Sequence, residues 1–346
     1  MKLRNLFAGV LALIIAFTFA ACAEKENEKN DQVSDVHSQN TDGSNGDLLT
    51  YLVLKESVTY NPDGSVYQQI NVEQNGDGLP VAVTVEGERG GTMKYTYNGQ
   101  YAVASLDYEQ ADGDREYYEF NASGDNLKMD TYKAGTLDSS AEYRYDEGGR
   151  LIGKSSKGSK GDKELAYEYK LDEQGRIIEE LEFVNGKEYH ITEIEYDDRG
   201  NEIRYSGGYI GDDPYIRVSE YDDAGRLKKT TEYTGDVEDA YTEYTYDDRG
   251  NILKYVTMKN GVEDAFEKYQ YDEQGNVVKF TYCHDSMNVR HYEYEYDQNN
   301  VLCKESYYIK GELIHYTVFT WYSQAVRLSK NVALAIQREF PILEEA

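Results

Sequence analysis

Tyr246-Asp247-Asp248-Arg249-Gly250-Asn251 is the stretch that decides the architecture, because the same phrase returns along the chain at a nearly fixed interval. It reads Tyr145-Asp146-Glu147-Gly148-Gly149-Arg150, then Leu171-Asp172-Glu173-Gln174-Gly175-Arg176, then YDDRGN from Tyr196, YDDAGR from Tyr221, YDEQGN from Tyr271 and YDQNNV from Tyr296. The marker glycines Gly149, Gly175, Gly200, Gly225, Gly250 and Gly275 set a period of 26 residues once and 25 thereafter. Asn300 fills the last slot, and Asn is the residue other than glycine that best tolerates a left-handed backbone. Upstream, Gly124 and Gly99 keep the 25-residue interval, with Asn98-Gly99 read as a shortened two-residue turn, and the pattern reaches back to Asn61-Pro62-Asp63-Gly64.

The phrase is a turn. An Asp or Asn at its first polar position accepts hydrogen bonds from the backbone ahead of it, and a glycine three residues on takes positive φ. Together these predict a type I turn with a G1 bulge joining two antiparallel strands. The flanks alternate accordingly: Tyr244 and Tyr246 against Glu243 and Thr245, Tyr269 and Tyr271 against Lys268 and Gln270, and after the turns Leu253/Tyr255 and Val278/Phe280/Tyr282. Period 2 with one polar face predicts half-buried strands. A second turn falls mid-repeat, at Asn185-Gly186, Gly235-Asp236, Asn260-Gly261 and Lys310-Gly311, so each repeat holds two strands. In a meander the Asp-x-x-Gly turns share one edge. The other edge carries the irregular stretches at 157–162, 206–214, 235–239 and 283–288. The reading is an all-β, elongated antiparallel meander of about 18 strands over residues 49–322, forming a twisted or curled open sheet.

Composition agrees with a thin sheet. Tyrosine supplies 35 residues against 9 Phe and 1 Trp, and a tyrosine buries its ring while its hydroxyl seeks a partner. The formal charge of −29 opposes binding to nucleic acid and to anionic membrane surfaces. Residues 1–21 read as a secretory leader, with Lys2 and Arg4 before an apolar run from Leu6 to Phe19. Residues 23–48 hold almost nothing to bury and read as a disordered tether. After Trp321, the spacing of Ala325, Leu328, Val332, Ile336 and Phe340 predicts a short C-terminal helical cap over 323–346.

Two stretches resemble known families. Phe19-Ala20-Ala21-Cys22 resembles the bacterial lipobox, which implies that Cys22 is the mature N-terminus and carries a lipid anchoring the protein outside the cytoplasm. The phrases from Tyr143 to Val301 resemble the YD-repeat (rearrangement-hotspot, Rhs) family, whose repeats read YxYDxxGR or YxYDxxGN, and degenerate copies extend to about Tyr51. Large members of that family curl their repeats into shells around a C-terminal toxin. Here the array is short, and the Asp213-Pro214 step lacks the family's downstream Gly-Leu cleavage signature, so an open sheet is expected instead of a shell.

Chemistry-bearing clusters are few. The acid pairs Asp197-Asp198, Asp222-Asp223 and Asp247-Asp248 recur because the turn recurs, whereas two-carboxylate catalysis needs unlike environments in a cleft. Cys283, His284, Asp285, His291 and Cys303 fall within one hairpin but match no zinc spacing. No catalytic residue, metal or cofactor is therefore assigned. The tyrosines on the irregular edge, Tyr205, Tyr209, Tyr215, Tyr233 and Tyr241, are the candidate ligand-binding residues. The reading is a non-enzymatic envelope lipoprotein binding an extracellular polysaccharide or an envelope protein partner. A structural spacer is the alternative, and a hydrolase with an unrecognised carboxylate site the remote third. Because the tether separates lipid from fold, Cys22→Ser is expected to release the protein from membranes while the array stays folded; retention after a carbonate wash would contradict the anchor.

Overall fold

A computed structural model describes residues 49–87, 90–98, 102–159, 161–284, 289–328, 333, 336 and 342–345. The leader, Cys22, the tether, Gly99 and Asp285 lie outside the described residues.

The turn is built from its first carboxylate. Asp247 Oδ1 accepts the N–H groups of Arg249 at 2.9 Å and Asn251 at 2.8 Å, and Asp247 Oδ2 accepts the Asn251 side-chain amide at 2.9 Å. Backbone bonds from Asp247 N to Asn251 O and from Gly250 N to Asp247 O close the loop. Where the sixth position is Arg, its Nε takes the place of the amide: Arg150, Arg176 and Arg226 reach Asp146, Asp172 and Asp222 at 2.6–2.7 Å. Arg and Asn are interchangeable there because each supplies one N–H to the same oxygen. Gly250 sits at φ 91 with open space around it, and Asn300 takes the equivalent left-handed place at φ 66.

Each marker tyrosine then ties two hairpins. The Tyr246 hydroxyl donates to Leu227 O at 2.7 Å, and Tyr145, Tyr196, Tyr221, Tyr271 and Tyr296 donate to Asn126, Ile177, Glu202, Ile252 and Val277 carbonyls at 2.8–3.1 Å. Each bond spans 19 residues and joins adjacent strands at the rim where no turn connects them. The last repeat uses Trp321 Nε1 on Leu302 O at 2.7 Å.

The strands, numbered in chain order, run from β1 (Leu49–Tyr60) and β2 (Val66–Gln74) to β22 (Glu312–Trp321), each pairing antiparallel with the next. β22 also pairs with β1, from Leu54↔Trp321 to Tyr60↔Tyr316, so the sheet is a closed 22-strand barrel. The seam carries a Thr59–Thr317 hydroxyl bond of 2.9 Å and a Tyr60–Tyr316 ring stack at 5.1 Å. The open sheet of about 18 strands is thereby corrected. Twist accumulates from strand to strand, and joining the two ends pairs edges that would otherwise be left open.

Register carries one face around the ring: Tyr244 stands opposite Tyr255, Tyr255 opposite Glu267, Glu267 opposite Tyr282 and Tyr282 opposite Arg290. On this face burial pushes the hydroxyl pKa values of Tyr255, Tyr269, Tyr292 and Tyr294 far upward. On the other face Glu193, Glu195, Glu243 and Lys268 are exposed. Up to Trp321 the described chain is all wall, so the buried tyrosine face is the concave one. The alternation after the turns is also corrected. A bulge between Thr245 and Tyr246 sets Ile252, not Leu253, opposite Tyr246, and the same shift buries Val277 in place of Val278.

The two rims follow from the meander. The marker turns share one rim, but Gly64, at φ 84, turns the chain at the opposite rim; the first marker-rim turn is Asn75-Gly76-Asp77-Gly78. Asn98 N bonds to Ala102 O at 2.9 Å and Ala102 N to Asn98 Oδ1 at 3.1 Å, so this turn has the five-residue form of the others and not the shortened form expected. On the opposite rim, Asn185-Gly186, Asn260-Gly261 and Lys310-Gly311 share one two-residue turn with both φ values positive.

The segment after Trp321 is not the helical cap expected. It supplies β23 (Val326–Leu328) and β24 (Leu343–Glu345), both paired with the first residues of β1, and between them Ala333 and Ile336 are helical and buried. Val326, Leu328, Ile336 and Leu343 pack with Val83, Met93, Tyr95 and Leu106, and the Tyr95 hydroxyl donates to Ile336 O at 2.9 Å. The free edge of Leu49–Val53 needed hydrogen-bond partners, and extended backbone meets that demand where a helix would not.

Replacing Gly250 by Val should cost about 1–3 kcal/mol, because a β-branched residue resists positive φ, while Gly250→Asn should cost far less; chemical denaturation of the two variants checks this. The turn carboxylates also set an acid limit. Asp146, Asp172, Asp197, Asp247 and Asp272 are desolvated, which alone would raise their pKa values, but hydrogen bonds from the residue four ahead outweigh it; at Asp222 the Arg226 N–H leads outright. All six fall below their ordinary 3.8, so their contribution is complete above pH 3.8 and is lost as pH falls through the lower folded-state values. Thermal melts between pH 7 and pH 2 should show the loss only in that acid range, and Asp→Asn changes at these turns should flatten it.

Candidate binding site at the irregular rim

The five tyrosines chosen from the sequence divide between the faces. Tyr205 and Tyr209 on β13 (Glu202–Tyr209) and Tyr215 on β14 (Tyr215–Tyr221) belong to the concave face. Tyr233 on β15 (Leu227–Thr234) and Tyr241 on β16 (Val237–Tyr246) belong to the convex one, where Lys229 Nζ lies 4.4 Å from the Tyr241 ring centroid. The first three therefore share a face, on which Tyr205 and Tyr215 meet, and the other two do not join them.

Behind the rim Tyr205 and Tyr215 are held by their neighbours. Tyr205 and Tyr215 lie 6.3 Å apart, and the Arg217 guanidinium lies 5.5 Å from the Tyr205 ring while bonding Glu202 at 2.8 Å. Desolvation is the largest influence on Arg217 and works against its charge, yet the Glu202 bond raises its pKa overall. Gly207 leaves room for the Tyr205 hydroxyl, which would stand 2.8 Å from a Cβ there.

At the mouth the rings are open. Tyr209 is 54% exposed and Tyr189 on β12 (Lys187–Tyr196) 41%, their rings 5.0 Å apart and near edge-on. A hydrogen bond with Tyr189 raises the Tyr209 hydroxyl pKa. His190 meets Tyr209 edge-on at 5.6 Å, Lys163 Nζ lies 5.7 Å from the Tyr189 ring, and exposed Ile210 borders them. Flat rings beside an imidazole and an ammonium suit stacking against a polar, apolar-faced ligand such as a sugar.

Sequence reading missed Tyr189, His190 and Lys163. Tyr189 is a bulge residue, unpaired where Glu182 faces His190 and Phe183 faces Glu188. Other repeats place Asp138, Asp239 and Asp264 at that bulge. Superposing the repeats would have marked Tyr189, with Ile314 of the last repeat, as a departure from aspartate.

Glu305, opposite Tyr294 and Thr317, is fully enclosed, and burial pushes its pKa up to about 8, so it is uncharged at neutral pH. Among the described residues no group of three His, Cys, Asp or Glu side chains is arranged to hold a metal ion. Cys283 and Cys303 are free thiols at opposite ends of their strands, since Tyr282 faces Arg290 near one rim and Tyr296 faces Leu302 near the other.

A family described as "Uncharacterised protein" matches residues 91–208, and the RHS Repeat family matches residues 221–263. No curated protein matches. Among solved structures, the TcdB2-TccC3-Cdc42 complex shares 13% identity over 75% of this chain at a TM-score of 0.31, and the match spans 18% of that chain. Porin-like proteins from Bacteroides uniformis and Bacteroides vulgatus share 11% and 10% identity over 78% and 79% of this chain, covering 98% and 100% of theirs, at TM-scores of 0.30 and 0.26. Over residues 221–263 the unit that a turn carboxylate and a marker tyrosine build is the RHS repeat.

Proposed function

We propose that this is a non-enzymatic, lipid-anchored envelope protein that binds a polysaccharide through the Tyr189–Tyr209 platform. One observation carries the reading. Of the described tyrosines, Tyr67, Tyr189 and Tyr209 alone are largely exposed, and the latter two are adjacent, on the irregular rim, with His190 and Lys163 beside them. Aromatic platforms with a few polar neighbours hold sugars by stacking, and exposed rings that stabilise nothing else are free for that use. The acid pairs support a non-enzymatic role, because the first carboxylate of each turn is consumed by its own loop. The leader and Cys22 motif support the envelope location and anchor.

A spacer role has its own support, since the marker hydroxyls are spent on joining hairpins. The two readings part at Tyr209. Its removal should cost under about 0.5 kcal/mol of stability, as for an exposed position. A screen of the protein against glycans and envelope extracts should find a ligand whose binding Tyr209→Ala weakens by about tenfold, the loss of one stacking contact of roughly 1.4 kcal/mol. Binding indifferent to Tyr209→Ala and Tyr189→Ala would leave the spacer.

A further inference from the structure

The irregular rim holds a second feature that the tyrosine platform does not use. A cleft of about 420 Å³ opens where β6 (Arg115–Phe120), β7 (Asn126–Lys133), β8 (Thr136–Tyr145) and β9 (Leu151–Gly158) end. Here the inner row runs Glu116, Thr131, Ser139, Gly158, where the last repeat places Tyr292, Tyr307 and His315 at the corresponding positions. A Cβ on Gly158 would stand 2.7 Å from Ser139 Cβ and 2.8 Å from Asp138 O, so the close approach of β8 and β9 that shapes the cleft depends on glycine there.

The lining residues are mostly polar or charged. Among the described residues, Asp114, Glu116 and Asp138 line it together with Arg115, Lys133 and Lys157, three acids and three bases, in a chain whose net charge is −29. Several are already paired: Asp107 holds Arg115 through two bonds of 2.6 and 2.8 Å, and Lys133 lies 3.3 Å from Asp138. Hydroxyls fill the rest, with Thr131 and Ser139 bonded at 2.6 Å and Ser159 bonded to Asp138 at 2.7 Å. Such a surface offers donors and acceptors in mixture and no net field, which selects an uncharged polyhydroxylated ligand over a polyanion.

The cleft is continuous with the platform. Ser156, in its lining, faces Lys163 on β10 (Lys163–Leu171), and Lys163 Nζ lies over the Tyr189 ring. The neighbouring turn is locked to β10 by Asn185 N donating to Glu164 O at 2.7 Å and Glu164 N donating to Asn185 Oδ1 at 2.8 Å. Four strand spacings separate β8 from β12, about 19 Å at ~4.8 Å each, the reach of a short oligosaccharide and not of a single sugar.

We infer that the cleft is a second subsite for the same ligand, and that the rim binds a neutral sugar chain extended from the Tyr189–Tyr209 platform across Lys163 into the cleft. This rests on the polysaccharide reading above, and calorimetry on the full chain separates the two. The probes are two-unit and six-unit members of the cello-, malto- and chito-oligosaccharide series, with hexagalacturonate as the anionic control. For a neutral series, the six-unit probe should bind at least about tenfold tighter than the two-unit probe, a gain of roughly 1.4 kcal/mol from the added contacts. Ser156→Tyr, which fills the cleft, should abolish that gain and leave the two-unit affinity unchanged; Tyr209→Ala should weaken both. Ser159→Trp, on the loop at the cleft mouth, serves the same purpose should Ser156→Tyr not fold. A length gain that survives a folded cleft-filling variant overturns the subsite and leaves the platform standing. Preference for hexagalacturonate overturns the neutral assignment. Failure of the wild-type protein to bind any probe overturns both readings.

Discussion

The hydroxyl of the tyrosine that precedes most of the marker turns, donated to a carbonyl of the adjacent strand, is the contact on which the rest of the barrel depends. Consecutive hairpins at the marker rim have no covalent connection, and a sheet edge left to fray there would expose unpaired backbone. A tyrosine solves this with one residue: its ring covers the neighbouring strand and its hydroxyl bonds that strand's first carbonyl. The reach is 19 residues from six of these tyrosines, 18 from Tyr169 to Leu151 O in the 26-residue copy whose marker is Leu171, and 17 from Tyr97 to Pro80 O. A reach that varies this little goes with the near-constant 25-residue period. Trp321 shows that the requirement is for a ring bearing a donor and not for tyrosine as such.

The second requirement lies in the turn itself. A desolvated aspartate accepts three hydrogen bonds from its own loop, so its charge is fully used within five residues. The strongly acidic composition is thus partly a consequence of the turn count. It also separates roles between rims. The marker rim is repetitive and internally satisfied, whereas the opposite rim has short two-residue turns interrupted by longer stretches, and both the platform and the cleft sit beside those interruptions.

Closure changes what the tyrosines are for. In an open sheet their rings would be a broad accessible face. In the barrel they converge, desolvating one another and enclosing Glu305 as a neutral acid. Function then retreats to the mouth, where Tyr189 and Tyr209 remain in contact with solvent.

The turn chemistry, the strand alternation ahead of each turn, the period and the repeat type were legible in residues 145–301, because each depends on contacts within one or two neighbouring repeats. The register of single bulges was not, which is why Leu253 stood in for Ile252 and Tyr189 went unnoticed: a bulge is one unpaired residue that leaves hydrophobicity nearly unchanged. The segment after Trp321 was misread for a related reason, since its apolar spacing fits a helix but its place was decided by the unpaired edge of β1. Closure itself was invisible. Whether a repeat sheet stays open or returns on itself depends on the sum of small twists over 22 strands, and on the meeting of β1 with β22 across about 260 residues of intervening chain, as in Thr59 with Thr317. Local sequence therefore determined the repeat, its turns and its clamps; tertiary structure alone decided which face is inside, which tyrosines stay exposed, and where a ligand can reach them, because those follow from how far the accumulated twist carries the last strand back to the first.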